Sequence, residues 1–120
     1  MLRVLDRVFG VLRLLGAASH AMGSLTLLPA GSEIQVWSLS GVTCAALLAS
    51  LNIVRSGRRN DRTLAWLALA GALAWRAIAV LFGRAIGNVL DFRVVWHFVC
   101  AFALTGFSLR TALTSANRNR

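Results

Sequence analysis

Arg55-Ser56-Gly57-Arg58-Arg59-Asn60-Asp61-Arg62 is a basic, hydrophilic stretch set between two long apolar ones, and its position decides the fold. On either side the chain is dense in Leu, Ala, Val, Ile and Trp and almost free of acid. With 58% apolar residues and a mean hydropathy of +0.69, the 120-residue chain lies far outside the soluble globular range. Working outward from the loop, apolar spans run over about 34–54 before it and 63–82 after it. A first span covers about 8–28, and Pro29-Ala30-Gly31-Ser32-Glu33 breaks it with turn-forming residues. Gly83 to Leu90, holding Gly87-Asn88, is the next turn, and a fourth span covers about 92–109. At ~1.5 Å per residue, each span is long enough for a hydrocarbon core of about 30 Å. Asp61 or Thr63 suits the cap of the third span and Asp91 that of the fourth. Residues 110–120 form a polar tail.

Four spans with short connections predict an all-α, single-domain integral membrane bundle running up-down-up-down, since short loops join antiparallel neighbours. The arginines predict its orientation. With both termini cytoplasmic, Arg3, Arg7, Arg55, Arg58, Arg59, Arg62, Arg110, Arg118 and Arg120 fall on that side, against Arg84 and Arg93 on the other. The expected location is therefore a cell inner membrane, multi-pass, N-in and C-in, with the 110–120 tail in the cytoplasm. A net charge of +9 in a soluble chain would suggest nucleic acid. Here the arginines lie between or beyond apolar spans as topology determinants, so no nucleic-acid partner is expected. Arg3 and Arg7 precede an apolar run as in a signal peptide. However, Arg13 interrupts that run and it continues to Leu28, so the segment is read as a helix.

In the first span, Asp6, Gly10, Arg13, Ala17, His20 and Ser24 alternate steps of four and three and share one face. Polar groups are expensive in hydrocarbon, so this face should point into the bundle or a partner. Arg13 is expected to snorkel towards Asp6 or the headgroups. Gly41, Ala45 and Ala49 form a small-residue stripe that allows a neighbouring helix to approach. Asn52 is expected to bond across to another helix.

Counting ~1.5 Å per residue from the ends opposite the termini, His20, Arg76, His97, Cys100 and Cys44 fall at similar depths. His97 and Cys100, three apart, share a helix face. With His20 and Cys44 they are candidate ligands for Zn²⁺ or copper, and His20 facing His97 would suit a haem iron. The packing alternative is that the cysteines act as small apolar residues and the histidines as hydrogen-bonded ones. No CxxC or HExxH spacing is present, and a structural disulfide has little to staple here. Arg76 cannot be deprotonated and needs a partner. Asp91 is the nearest candidate, forming a structural latch; otherwise Arg76, His20 and His97 make a cationic pocket for an anion or acidic headgroup.

Trp37, Trp66, Trp75 and Trp96 are expected in an aromatic belt, with Trp75 and Trp96 also placed to flank Arg76 and His97. No nucleophile–base arrangement or carboxylate pair suggests an enzyme. In size and span number the chain is similar to the small multidrug resistance transporters and the fluoride channels. It has only Asp6 where the former bury an acid in the first helix, and it lacks the Gly- and Phe-rich polar runs of the latter. No functional residue is carried over. Three functions follow: an accessory or assembly subunit, or homo-oligomer, acting by binding; an oligomeric transporter or channel for an anionic or amphipathic solute; and a haem or metal carrier. Beyond the bilayer, the expected partner is a membrane protein or another copy of the chain.

Overall fold

Four helices follow one another through short turns: α1 (Leu2–Leu27), α2 (Glu33–Gly57), α3 (Arg62–Ala85) and α4 (Phe92–Asn117). The computed structural model describes residues 1–58 and 60–117, with side chains as far as Thr114. Arg59, Arg118 and Arg120 lie outside the described residues. Each helix stops where the sequence supplies a reason. Gly31 and Gly87 take left-handed φ values of 73° and 69° in the turns after α1 and α3, a conformation that glycine adopts without a Cβ penalty. Ser32 caps α2 through the Gln35 amide, Asp61 caps α3 through the Leu64 amide at 2.8 Å, and Asp91 accepts from the Arg93 amide at 2.9 Å.

The helices outrun the apolar spans. α1 begins at Leu2 rather than Val8, and α4 continues to Asn117 through the stretch expected as a polar tail. The basic loop contracts to the turn after Gly57, because Arg55, Ser56 and Gly57 belong to α2 and Arg62 opens α3. The reason is that polar residues on these extra turns have partners on neighbouring helices, so helix continues past the point where hydropathy falls.

Sequential helices are antiparallel neighbours. Gly10 lies against Ile53 and Ala49 of α2, Gly71 against Leu48, and Gly83 against Val89 and Val94. α1 and α4 also pack together, closing the ring. Of the two diagonals, α2 and α4 touch, whereas the backbones of α1 and α3 stay apart. The core is mostly alanine: Ala17, Ala45, Ala49, Ala65, Ala68, Ala72, Ala79 and Ala101 are all buried. Large apolar side chains such as Leu15, Leu47, Leu81 and Phe102 point outward. A water-soluble bundle would do the opposite. In a bilayer no hydrophobic drive holds helices together, so small residues that let backbones approach belong inside. With four helices long and apolar enough to span, the chain is a small all-helical polytopic membrane protein.

The small-residue stripe of α2 is used within this packing. Ala45 and Ala49 are 2% and 0% exposed, so they are not free to dock a second molecule. A Cβ built on Gly10 would lie 2.7 Å from Ile53 Cγ1, whereas one on Gly41 meets nothing within 4 Å. Gly10→Leu should therefore lower stability by about 1–3 kcal/mol through overpacking. Gly41→Leu should stay within about 0.5 kcal/mol of the parent. Unfolding of both variants in a mixed-micelle denaturant titration checks the contrast.

Candidate functional site: buried polar groups in three layers

The polar face read from α1 is the face turned inward: Asp6, Gly10, Arg13, Ala17 and Ser24 are buried and His20 is half-buried. It meets polar groups of other helices in three layers, taken here from the end carrying the termini.

At that end Arg55 is fully buried, a departure from its expected place in a solvated loop. Its Nη2 donates to Asp6 Oδ1 at 2.5 Å, and Nη1 donates to the Phe107 carbonyl at 3.2 Å and to Thr111 Oγ1 at 3.0 Å. One guanidinium thus ties α1, α2 and α4 together. A turn inward, Ser108 Oγ donates to Asn52 Oδ1 at 3.2 Å, and Asn52 Nδ2 donates to the Leu48 carbonyl, so Asn52 does bond across helices. A cavity of about 160 Å³ opens over this layer between Arg3, Asp6, Ser56, Arg110 and Thr111.

The middle layer holds Arg13, which is 0% exposed and about 2 Å from the midpoint of α1 by residue count. It does not snorkel, and Asp6 is already occupied by Arg55. Its guanidinium instead lies over the Trp75 ring of α3, 5.1 Å from the centroid. This side-chain pair fills the open α1–α3 diagonal. Arg13 Nε, Nη1 and Nη2 have no hydrogen-bond partner, and neither do Trp75 Nε1, Trp96 Nε1 or His97 Nδ1. The His97 ring meets Trp75 edge-on at 5.8 Å. The Trp96 indole presses on Gly16, where a Cβ would sit 2.6 Å from its Nε1.

In the third layer, the hairpin-end layer nearest the α1–α2 and α3–α4 turns, His20 Nε2 lies 3.2 Å from Ser38 Oγ, and Ser38 Oγ lies 2.6 Å from Ser24 Oγ. Ser24 donates back to the His20 carbonyl at 2.8 Å. One assignment satisfies all three bonds: His20 Nε2–H donates to Ser38, Ser38 to Ser24, and Ser24 to the carbonyl. Gln35 closes the layer, donating to the Ser24 carbonyl and accepting from the Gly31 amide.

The expected residues therefore separate into different environments. Arg76 does not reach Asp91, so the latch between them is absent from the structure. Asp91 pairs with Arg93 at 2.8 Å, because two residues along its own helix start is a shorter reach than Arg76 on the preceding helix. Arg76 lies about 4 Å from the midpoint of α3 by residue count. Its guanidinium sits over Phe98 and Phe102 of α4, 5.3 and 5.1 Å from the centroids. Phe102 is 60% exposed, so this crevice faces the surrounding bilayer rather than His20 and His97. Cys100 is buried and Cys44 exposed, both as free thiols. No group of three or more His, Cys, Asp or Glu side chains is placed to hold a metal among the described residues. His20, the other half of the expected haem pair, has its Nε2 engaged by Ser38. Trp37 and Trp66 are exposed, as lipid-facing aromatics would be, but Trp75 is 9% exposed and belongs to the core.

No family model, curated protein or solved structure matches the chain.

Arg55 escaped the sequence reading because hydropathy ends the span at Val54. The signal that would have found it is helical spacing, since Asn52, Arg55 and Ser56 continue the inward face of Ala45 and Ala49. Removing one partner of a buried ion pair strands the other charge, so Asp6→Asn should cost roughly 3–5 kcal/mol. Asp6→Leu combined with Arg55→Met should recover most of that loss in the same unfolding titration.

At the start of α4, hydrogen bonds from the Arg93 side chain and amide hold the Asp91 carboxyl down to about 2. A carboxyl depressed in the folded state stabilises it above the ordinary carboxylate value near 4, and the contribution disappears as pH falls through about 2. Protection of the first-turn amides of α4, taken as exchange relative to the intrinsic rate at each pH, should be unchanged between neutral pH and pH 5, and Asp91→Asn should lower it.

Proposed function

We propose that this protein acts by binding, without an enzymatic role, as an accessory or assembly subunit of a larger complex in a cell inner membrane. The observation that carries this is Arg76, a permanent cation near mid-membrane depth in a lipid-facing crevice of α3 and α4, against which two aromatic rings and no acid lie among the described residues. Cation–π contacts contribute ~2 kcal/mol or somewhat more when desolvated. A charge at the bilayer centre costs at least about 2.5–3.5 kcal/mol, and ionisable residues in spans pair with one another. A carboxylate on a helix of another membrane protein is the complement.

Two alternatives fit less well. Lipid phosphates lie about 15 Å from the midplane of a hydrocarbon core of about 30 Å, beyond the reach of an arginine so placed. A second copy has no acid at this depth: Asp6 is committed to Arg55, Asp61 caps α3, Asp91 pairs with Arg93, and Glu33 is the exposed first residue of α2. The partner is therefore a different chain. The arginine distribution supports the orientation with both termini cytoplasmic. Even with Arg55 turned inward, Arg3, Arg7, Arg58, Arg62 and Arg110 remain at the terminal end, against Arg84 and Arg93 at the other.

A photo-crosslinking residue in place of Phe102, installed in cells and followed by peptide sequencing, should capture one transmembrane segment carrying Asp or Glu. Arg76→Gln should abolish that product while leaving the helical content and unfolding midpoint of the bundle in place. Crosslinks only to copies of the chain or to lipid, or a product indifferent to Arg76→Gln, would overturn the proposal.

A further inference from the structure

The cavity at the end carrying the termini is lined by two kinds of polar group: permanent cations, and oxygens whose own protons are already committed. From this pairing we propose that it holds a primary ammonium joined by a short linker to a phosphate. That is the chemistry of a phosphoethanolamine group, carried by a membrane lipid or free in water. The site is independent of the Arg76 crevice, which lies near the middle of α3.

The cavity offers about 160 Å³ of open volume where the start of α1, the end of α2 and the last turns of α4 meet. Arg3 and Arg110 line it from α1 and α4; both are exposed, and neither has an acid partner among the described residues. Two guanidinium groups from two helices bring only donors, and phosphate oxygens are their natural acceptors. The rest of the polar lining has the opposite character. Asp6 keeps 10% of its side chain exposed after pairing with Arg55, and a carboxylate only accepts. Ser56 Oγ donates to the Ile53 carbonyl at 2.6 Å, Thr111 Oγ1 to the Phe107 carbonyl at 3.0 Å and Thr114 Oγ1 to the Arg110 carbonyl at 2.9 Å. Each hydroxyl has therefore given its proton to its own helix and presents lone pairs to the cavity. Asn60, the remaining polar side chain of the lining, carries both a donor and an acceptor.

A bare phosphate would satisfy the two arginines but bring no proton to Asp6 and the hydroxyl oxygens. A metal ion or a simple amine would satisfy those oxygens and leave the arginines without an anion. A phosphate with a primary ammonium close by does both, since the ammonium has three N–H donors. Depth agrees with a headgroup. The 26 residues of α1 span about 39 Å against a hydrocarbon core of about 30 Å, so Arg3 stands near the phosphates and Asp6 near the edge of the core. Basic pockets between spans bind lipid headgroups at this level. The volume admits a headgroup while its acyl chains stay in the bilayer.

The test is native mass spectrometry of the full chain released from detergent. The detergent carries equimolar phosphatidylethanolamine, phosphatidylcholine and phosphatidic acid with the same acyl chains. We expect one phosphatidylethanolamine retained per chain, several-fold over the other two. Phosphatidylcholine keeps the phosphate but has no N–H to donate, and phosphatidic acid has no ammonium, so the pair separates the two halves of the site. Soluble phosphoethanolamine distinguishes the sources: displacement of the lipid supports a site that also takes the free compound, and retention of the lipid supports the headgroup alone. Arg3→Gln combined with Arg110→Gln should lower retention several-fold, and so should Ser56→Ala, which removes an acceptor. If Ser56→Ala does not fold, Thr114→Val removes an acceptor at an exposed position and keeps the branched shape. Equal retention of phosphatidylcholine, a preference for phosphatidic acid, or retention unchanged in the double arginine variant would overturn the proposal.

Discussion

The cost of placing an arginine charge where water cannot reach it governs this structure. A guanidinium does not neutralise itself by losing a proton, so each arginine within the helical region must find a compensating group or remain a liability. Arg55 finds Asp6 and with it fastens α1, α2 and α4 at one end. Among the described residues, Arg13 and Arg76 find aromatic faces and no acid. The first is enclosed within the bundle and the second sits beside the exposed Phe102, so the two charges differ in what can reach them.

The rest of the packing accommodates these charges. Because the core is built of alanine, the helices approach closely along their sequential contacts, and Gly10 and Gly71 bring α2 against both its neighbours. Close approach cannot be satisfied on every side of a four-helix ring. The α2–α4 diagonal closes on small polar contacts such as Asn52 with Ser108, and the α1–α3 diagonal stays open. Arg13 and Trp75 are the large residues that fill the gap. Removing either would leave a void as well as an electrostatic change, so the charge and the shape of the middle layer are not separable by one substitution.

The hairpin-end layer shows how the same bilayer constraint is met by neutral groups. His20, Ser38, Ser24 and Gln35 exchange hydrogen bonds in a closed set, so the imidazole is a packing element there rather than an open ligand. His97 lies deeper, edge-on to Trp75, with Nδ1 unpaired. The two histidines, alike in sequence context, thus differ in role because one faces hydroxyl-bearing α2 and the other faces indoles.

By itself the sequence determined the number of helices, the approximate places of the turns, Asp91 as a cap and Asp61 as one of two candidate caps, and the polar face of α1. All of these are local: they depend on hydropathy over about 20 residues, on the φ freedom of glycine, and on the 3.6-residue period. Only the tertiary structure decided which charge met which. Whether Asp6 pairs with Arg13 on its own helix or with Arg55 on the next turns on a few ångströms of helix offset. Asp91 likewise takes Arg93 rather than Arg76 because the helix cap brings that side chain round first. Counting residues from helix ends places side chains in depth, but it carries no information about azimuth. Azimuth put Arg13 in the core, Arg76 in the bilayer-facing crevice and Cys44 on the surface.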